Sequence, residues 1–205
     1  MMLAPAVLIA VTFHEYAHGL AAYRLGDPTA KEQGRLSLNP LRHLDPVGTL
    51  MFIILHFGWG KPVPVDSRHF KRPRWDMALV SLAGPATNFL MALILGLVFR
   101  LHLLPRPEAL LGRVTSITAL LLVSVLLEKT VMINIVLGVF NLLPLPPLDG
   151  SRLVSALLPA SMLKHYQAME GYGIAIIFLS VYFFPGRLLG LFEPFINFFQ
   201  HLFLV

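Results

Sequence analysis

The chain has 205 residues, of which 56% are hydrophobic and only 13% are charged. Soluble domains carry about 25% charged residues, so the composition excludes an ordinary soluble protein and predicts an integral membrane protein in a lipid bilayer. The absence of cysteine excludes disulfides and cysteine-ligated metal. The net charge of +5 is not concentrated in a basic helix beside aromatic residues, so no nucleic-acid partner is expected.

The first apolar segment, residues 3–23, is predicted to be a transmembrane helix. Besides two tyrosines, its ionisable residues are His14, Glu15 and His18, which form an H-E-x-x-H set. Residues i and i+4 share one face of a helix, so both imidazoles can bind one metal ion while the glutamate contacts a water on that ion. Because ionisable groups are costly in hydrocarbon, we prefer this interpretation to unrelated core histidines. The pattern is typical of a zinc hydrolase.

The segment 24–76 is predicted to be cytoplasmic, because it holds nine of the 16 Lys and Arg residues. The N-terminus then faces outward, and the inner half of the first span is accessible from the cytoplasm. Within this segment, the apolar run 47–57 is shorter than the roughly 20 residues that a spanning helix needs. We predict that it is re-entrant or interfacial, with a full span as the alternative. Residues 59–65 resemble a short strand.

Residues 78–99 form an uncharged run of 22 and are the clearest predicted transmembrane helix. The G-P-A-T-N sequence at 84–88 places small residues and one amide where a neighbouring helix can approach closely. The next apolar region, 116–148, is interrupted by Glu128 and Lys129. Either this span begins near Ser116 and the two charges face a cavity, or it begins near Thr130 after an interfacial helix.

The rest of the chain predicts a surface segment at 150–170 and two apolar helices at 171–186 and 188–205. We therefore expect an all-α polytopic protein of the plasma membrane, a bundle of about five transmembrane helices with a short β-like or re-entrant loop on the cytoplasmic side. Residues 1–205 are expected to form one membrane-embedded domain. Its catalytic core is predicted at about 3–158 and its C-terminal helices at about 171–205.

Two histidines leave a catalytic zinc ion short of the usual three protein ligands. Asp149 is the best candidate for the third, because it follows a proline-rich stretch at the end of a predicted span. Prolines cannot continue a helix, and irregular backbone at membrane depth is tolerated where it is buried or lines a cavity. An Asp-Gly turn at the end of a helix is the alternative explanation for Asp149.

Three motifs together resemble the site-2 proteases, the intramembrane zinc metalloproteases of peptidase family M50. They are H-E-x-x-H at 14–18, G-P-x-x-N at 84–88 and N-x-x-P-x-P-x-L-D-G at 141–150. The sequences at 26–30, 39–46 and 58–65 are similar to the compact bacterial and archaeal branch, without PDZ or CBS domains. The resemblance covers about residues 3–158. It implies that His14, His18 and Asp149 bind one Zn²⁺, that Glu15 is the general base, and that Asn141 holds the substrate backbone.

A transmembrane substrate must unwind before its peptide bonds become accessible. The stretch of Pro62, Val63, Pro64 and Val65 offers a β-edge for such a substrate, and a rigid proline-containing loop is the equal alternative. Asn88 is also expected to bind substrate.

His43 and Asp45 are candidates for residues that support the metal ligands or line the access path. A cap before Pro46 explains Asp45 equally well.

The expected function is regulated intramembrane proteolysis, in which a zinc metalloprotease hydrolyses peptide bonds in or near the transmembrane segments of single-span membrane proteins. The alternatives are a metal transporter and a metal-binding membrane protein without catalysis. Glu15 discriminates between these hypotheses, because a transporter needs no general base.

Overall fold

The computed structural model describes residues 3–55, 58–111, 119–183 and 185–204. The α-helices within these ranges are α1 (Leu3–Arg24), α2 (Thr29–Glu32), α3 (Pro46–Leu55), α4 (Pro73–Arg100), α5 (Pro107–Leu111), α6 (Ala119–Asn141), α7 (Asp149–Leu157), α8 (Ala160–Ala168), α9 (Glu170–Phe183) and α10 (Pro185–Leu204). The same ranges contain no β-strand, and Leu44 and Gly60 form an isolated antiparallel bridge. The all-α prediction is confirmed, whereas the β-like stretch at 59–65 is not confirmed beyond this bridge.

The centre of the molecule is formed by α1, α4 and α6, which pack against one another. On the outside of this group, α7 packs against α4, and α10 packs against α4 and α6. Small residues permit these contacts: a Cβ on Gly96 of α4 would clash with the backbone of Phe203 on α10. Beside this contact, Ala92, Val131 and Ile135 are fully buried. Small residues at the interface are how helices approach closely in a bilayer.

Two described helices, α4 and α6, are long and apolar enough to cross a membrane. Although α1 and α10 have sufficient length, they are less apolar, and α3 and α9 are shorter. The five-helix bundle is therefore not confirmed. Compared with the predicted span at 78–99, α4 begins five residues earlier, at Pro73. Proline lacks an N–H, but the first N–H groups of a helix have no partner within the helix, so proline is tolerated there.

The charged pair Glu128 and Lys129 lies inside α6, which is continuous from Ala119 to Asn141. The alternative in which this span starts near Thr130 is therefore wrong. The predicted start near Ser116 lies outside the described residues.

The helix α3 has ten residues and a length of about 15 Å, half the hydrocarbon thickness of a bilayer. Its described part is too short for the full span considered for residues 47–57, and residues 56–57 lie outside the described ranges. In the described chain, α3 packs extensively against no other helix. Asp45 caps its start, because Oδ1 accepts a hydrogen bond of 2.8 Å from the Gly48 N–H. The re-entrant arrangement stays a prediction.

A buried carboxylate, Asp27, ties the connection between α1 and α4 to the end of α1. Burial alone would raise the pKa of Asp27, but hydrogen bonds from Thr29 and from the Asp66 N–H outweigh it and lower this pKa. His69 Nδ1 lies 3.2 Å from Asp27 Oδ1. The neighbouring Arg68 lowers the pKa of Asp66 to about 2. These contacts hold residues 66–69, and hence the preceding segment 60–65, close to α1.

The proline-rich stretch between α6 and α7 is not helical, as predicted, and α7 begins at Asp149. The predicted surface segment 150–170 contains α7 and α8, of which α7 packs against α4. This packing places the first residue of α7 beside the central helices.

Candidate metal centre

Three predicted ligands, His14, His18 and Asp149, meet where the start of α7 reaches α1. The two Nε2 atoms lie 2.9 Å apart. Asp149 Oδ2 lies 3.2 Å from His14 Nε2 and 3.3 Å from His18 Nε2. Both histidines are buried, and together with Asp149 they form a cluster of a size that can hold a metal ion.

The second nitrogen of each imidazole is held by a neighbour on α4. His14 Nδ1 donates to Asn88 Oδ1 at 2.6 Å, and His18 Nδ1 donates to the Val80 carbonyl at 2.8 Å. A carbonyl oxygen can only accept, so each neutral ring carries its proton on Nδ1 and its lone pair on Nε2. Two nitrogen lone pairs and a carboxylate oxygen of Asp149 therefore converge.

Asn88 is fully buried, and its amide is used inside the protein. Its Nδ2 donates to the Ala10 carbonyl at 3.3 Å and to Asn134 Oδ1 at 2.8 Å, which establishes that Oδ1 is the atom facing His14. Asn134 Nδ2 donates in turn to the Thr130 carbonyl at 2.8 Å. The prediction that Asn88 binds substrate does not agree with this placement, because an amide with 0% exposure is not accessible to a ligand.

The three converging atoms fit a zinc ion. Tetrahedral zinc with bonds of about 2.0–2.1 Å spaces its ligands about 3.3 Å apart, close to the distances found here. With both imidazoles neutral and no cation bound, the lone pairs and the carboxylate oxygen would repel one another. Asp149 Oδ2 is also a buried acceptor to which no described group donates a hydrogen bond. Two imidazoles and one carboxylate are typical of catalytic zinc with an open fourth position.

Gly84 of α4 lies against both imidazole rings. A Cβ at this position would lie 2.5 Å from His18 Cε1 and Nε2 and 2.6 Å from His14 Cε1. Real Cβ contacts are longer than this, so any side chain here would displace the rings. Glycine is therefore required for the close approach of α1 to α4.

We predict that Gly84→Ala weakens zinc binding by at least about tenfold, because displaced rings lose the geometry that all three ligands share. Zinc per chain, measured at limiting metal in the purified protein, checks this. Gly171→Ala is the matched control, since no heavy atom lies within 4 Å of a Cβ there. Equal zinc content in the two variants would contradict this account of Gly84.

Glu15 lies on α1 between the two histidines, and its Oε2 accepts a hydrogen bond of 2.9 Å from the Val63 N–H. The segment 60–65 thus contacts the predicted general base directly. It follows α1 along its length: a Cβ on Gly60 would lie 3.1 Å from Val11 Cγ1, and one on Gly19 would lie 3.3 Å from Val63 Cγ1. One carboxylate oxygen of Glu15 is therefore held in place by backbone.

The same contacts restrict how residues 61–65 could pair with a substrate. The Lys61 N–H donates to the His43 carbonyl at 2.9 Å, and the Val63 N–H is used by Glu15. Pro62 and Pro64 have no N–H. Residues 61–64 therefore have no free backbone donor, and only carbonyl oxygens can take part in strand addition there.

His43 is buried and supports the segment 60–65. Its Nε2 donates to the Ser37 carbonyl at 2.7 Å, and its carbonyl accepts from Lys61. Asp45 caps α3. The structure places both outside hydrogen-bond contact with the three candidate ligands.

Asn141 is the last residue of α6, and its Nδ2 donates to the Leu137 carbonyl at 3.0 Å. It lies before the stretch that leads to Asp149, and its substrate-binding role stays a prediction.

Three groups that contact the site were missed by sequence reasoning: the Asn134 amide, the Val80 carbonyl and the Val63 N–H. Asn134 carried a usable signal, because a lone amide in an apolar helix needs a partner. The two backbone groups carried none.

The chain matches peptidase family M50 over residues 2–184. YwhC of Bacillus subtilis (strain 168) is 40% identical over 185 residues, which cover 87% of this chain and 78% of YwhC. Rip2 of Mycobacterium tuberculosis (strain H37Rv) is 31% identical over 194 residues, which cover 90% of this chain and 67% of Rip2. Both relatives are zinc metalloproteases by name, and no solved structure matches this chain significantly. Because the family match spans nearly the whole chain, the protein belongs to peptidase family M50, the site-2 proteases, and is an intramembrane zinc metalloprotease.

Proposed function

We propose that His14, His18 and Asp149 hold the catalytic zinc ion and that Glu15 is the general base. The convergence of three lone-pair atoms within 3.3 Å carries this assignment. Family membership implies zinc and a membrane-protein substrate, and it does not favour the transporter alternative.

Zinc, when bound, polarises the scissile carbonyl and lowers the pKa of the attacking water. Glu15 accepts a proton from that water and returns it to the leaving amine. The Val63 N–H holds one oxygen of Glu15, which limits the carboxylate to a few orientations. Asn88 and the Val80 carbonyl keep both imidazoles in the tautomer that binds metal through Nε2.

We propose that the substrate is a single-span protein whose cleaved segment lies extended beside residues 62–65. An unwound span has free N–H groups, and the Pro62–Pro64 stretch offers acceptors without competing donors. Val63 and Val65 would then flank the bound segment. Asn141, at the end of α6, holds the substrate backbone.

Purified protein should contain one zinc per chain and cleave a single-span substrate. Asn141→Ala should retain zinc but cleave this substrate about tenfold or more slowly, because a backbone contact that holds the unwound segment is lost. The same substitution should slow the cleavage of a short, already extended peptide by a smaller factor. Asn197→Ala, an exposed amide on α10, serves as the control. Equal losses on the span and on the short peptide would reject this role for Asn141.

We propose a multi-pass arrangement in the plasma membrane. The single domain of residues 1–205 has a catalytic core at about 3–158 and about five spanning helices. The nine Lys and Arg residues of segment 24–76 support a cytoplasmic location for that segment and for access to Glu15.

A chain without cysteine allows a direct test of this topology. A Cys at Ser67 should react with a membrane-impermeant reagent only after cells are permeabilised, since Ser67 lies in the cationic segment. A Cys at Leu103, which is exposed just beyond the C-terminal end of α4, should react in intact cells. Reaction of the Ser67 variant from outside would overturn the proposed orientation.

A further inference from the structure

A cavity of about 510 Å³ lies between α1 and α3. Its wall on α1 includes Leu8, Val11 and Thr12, and its wall on α3 includes Phe52 and Ile53. We infer that this cavity is the subsite for a large apolar side chain of the substrate, about two residues from the scissile bond. This inference rests on the proposed roles of Glu15 and the three metal ligands.

The cavity continues the catalytic face of α1. Leu8, Val11 and Thr12 are followed on the same face by Glu15, because residues three, four and seven apart lie above one another on a helix. The rise from Val11 to Glu15 is about 6 Å. An extended chain advances about 3.3 Å per residue, so a substrate bound at Glu15 reaches the cavity after about two residues.

The segment 60–63 joins the cavity to the catalytic carboxylate. Gly60 lines the cavity and packs against Val11, and three residues later the Val63 N–H binds Glu15. An extended substrate beside this segment would pass both the cavity and the Glu15 carboxylate.

The chemistry of the lining favours an apolar side chain over a lipid with its headgroup. The described lining residues include no Asp, Glu, Lys or Arg. The hydroxyl of Thr12 donates to the Leu8 carbonyl of its own helix, and His43 Nε2 donates to the Ser37 carbonyl, which leaves His43 Nδ1 as a buried acceptor without a partner among the described residues. A headgroup would therefore find few polar partners. Since lipid is as apolar as the lining, selection by this cavity depends on shape and van der Waals contact.

The test compares single-span substrates that differ at one residue, with Ala, Leu, Phe or Trp placed at each of three positions on either side of the scissile bond. Products are identified by mass spectrometry with the purified full-length protein in detergent. At one position, about two residues from the cut, Leu or Phe should exceed Ala in kcat/KM by about tenfold. A ratio measured on one preparation is independent of the fraction of folded enzyme.

Two variants alter the cavity without touching the proposed machinery. Leu8→Trp fills it and should reduce the preference for large side chains to near unity, whereas Phe52→Ala enlarges it and should shift the preference towards Trp. Leu90→Trp, at an exposed position of α4 outside the cavity, should leave the preference unchanged. No preference at any position, or a preference that Leu8→Trp does not alter, would overturn the subsite.

Photo-crosslinking separates this inference from the proposed chemistry, because it needs no turnover. A substrate with photo-leucine at the discriminating position should crosslink to Phe52 or Ile53 in the Glu15→Gln protein. If no substrate is cleaved, photo-leucine is placed in turn at each residue of the transmembrane segment of the substrate. Crosslinks without cleavage by the wild type would reject the proposed chemistry and keep the subsite. Cleavage with no crosslink to the cavity, or labelling of the cavity by a photoactivatable acyl chain alone, would reject the subsite.

Discussion

Glu15→Gln should keep one zinc ion per chain and lose about 10²- to 10⁴-fold in cleavage rate, the typical contribution of general acid–base catalysis. Glutamine removes the base but leaves His14, His18 and Asp149 in place. Its side-chain oxygen can still accept the hydrogen bond from the Val63 N–H, so the segment 60–65 should stay where it is. The loss should be similar on a helical span and on an extended peptide, because proton transfer is needed for both.

Glu32→Gln is the control for this substitution, since Glu32 is exposed on α2 and lies outside the site. Zinc content and single-turnover cleavage would be measured on the same preparations. Wild-type cleavage by folded, zinc-loaded Glu15→Gln protein would reject the hydrolase mechanism proposed for this residue.

Asp149→Ala should have the largest effect on metal binding, because a catalytic zinc site needs three protein ligands and this change leaves two. Mutations of residues that only orient a ligand typically cost about 10- to 100-fold in metal affinity, which is the loss expected for Asn88→Ala. Removal of a ligand should exceed that range. Competition against a chelator of known affinity, with protein in detergent, ranks the zinc affinities of the wild type, Asn88→Ala and Asp149→Ala.

Arg152, also on α7, is half-buried and pairs with Glu170 outside the site, so Arg152→Ala offers a control for the helix itself and should bind zinc like the wild type. Unchanged zinc content in Asp149→Ala at limiting metal would show that Asp149 is not a ligand. If Asn88→Ala bound zinc as tightly as the wild type, the hydrogen bond to His14 Nδ1 would have no role in metal affinity.

Prediction from the sequence succeeded where the pattern was local. The end of α1 at Arg24 follows from Gly26, whose φ of 109° suits glycine, and from Pro28. The break after Asn141 follows from the prolines that come next. For α6 the sequence left two starts open, and the continuous helix through Glu128 and Lys129 rules out the start near Thr130. For residues 59–65 the sequence left a β-edge and a rigid proline-containing loop as equal alternatives. The described backbone forms only the bridge at Gly60, and its N–H groups at Lys61 and Val63 donate to His43 and Glu15.

By itself, the sequence determined the pairing of His14 with His18 and the position of Glu15 between them, because spacing along one helix is an intrinsic property of that helix. It also indicated Asp149, since a lone acid after a proline-rich break has few other uses at membrane depth. Only the tertiary structure decided which nitrogen of each ring faces Asp149. The groups that decide it, Asn88 and the Val80 carbonyl, lie 74 and 62 residues away in sequence, and the Val63 N–H that holds Glu15 lies 48 residues away. Contacts at such separations depend on how α4 and the segment 60–65 pack against α1, and this packing is not encoded in any local pattern.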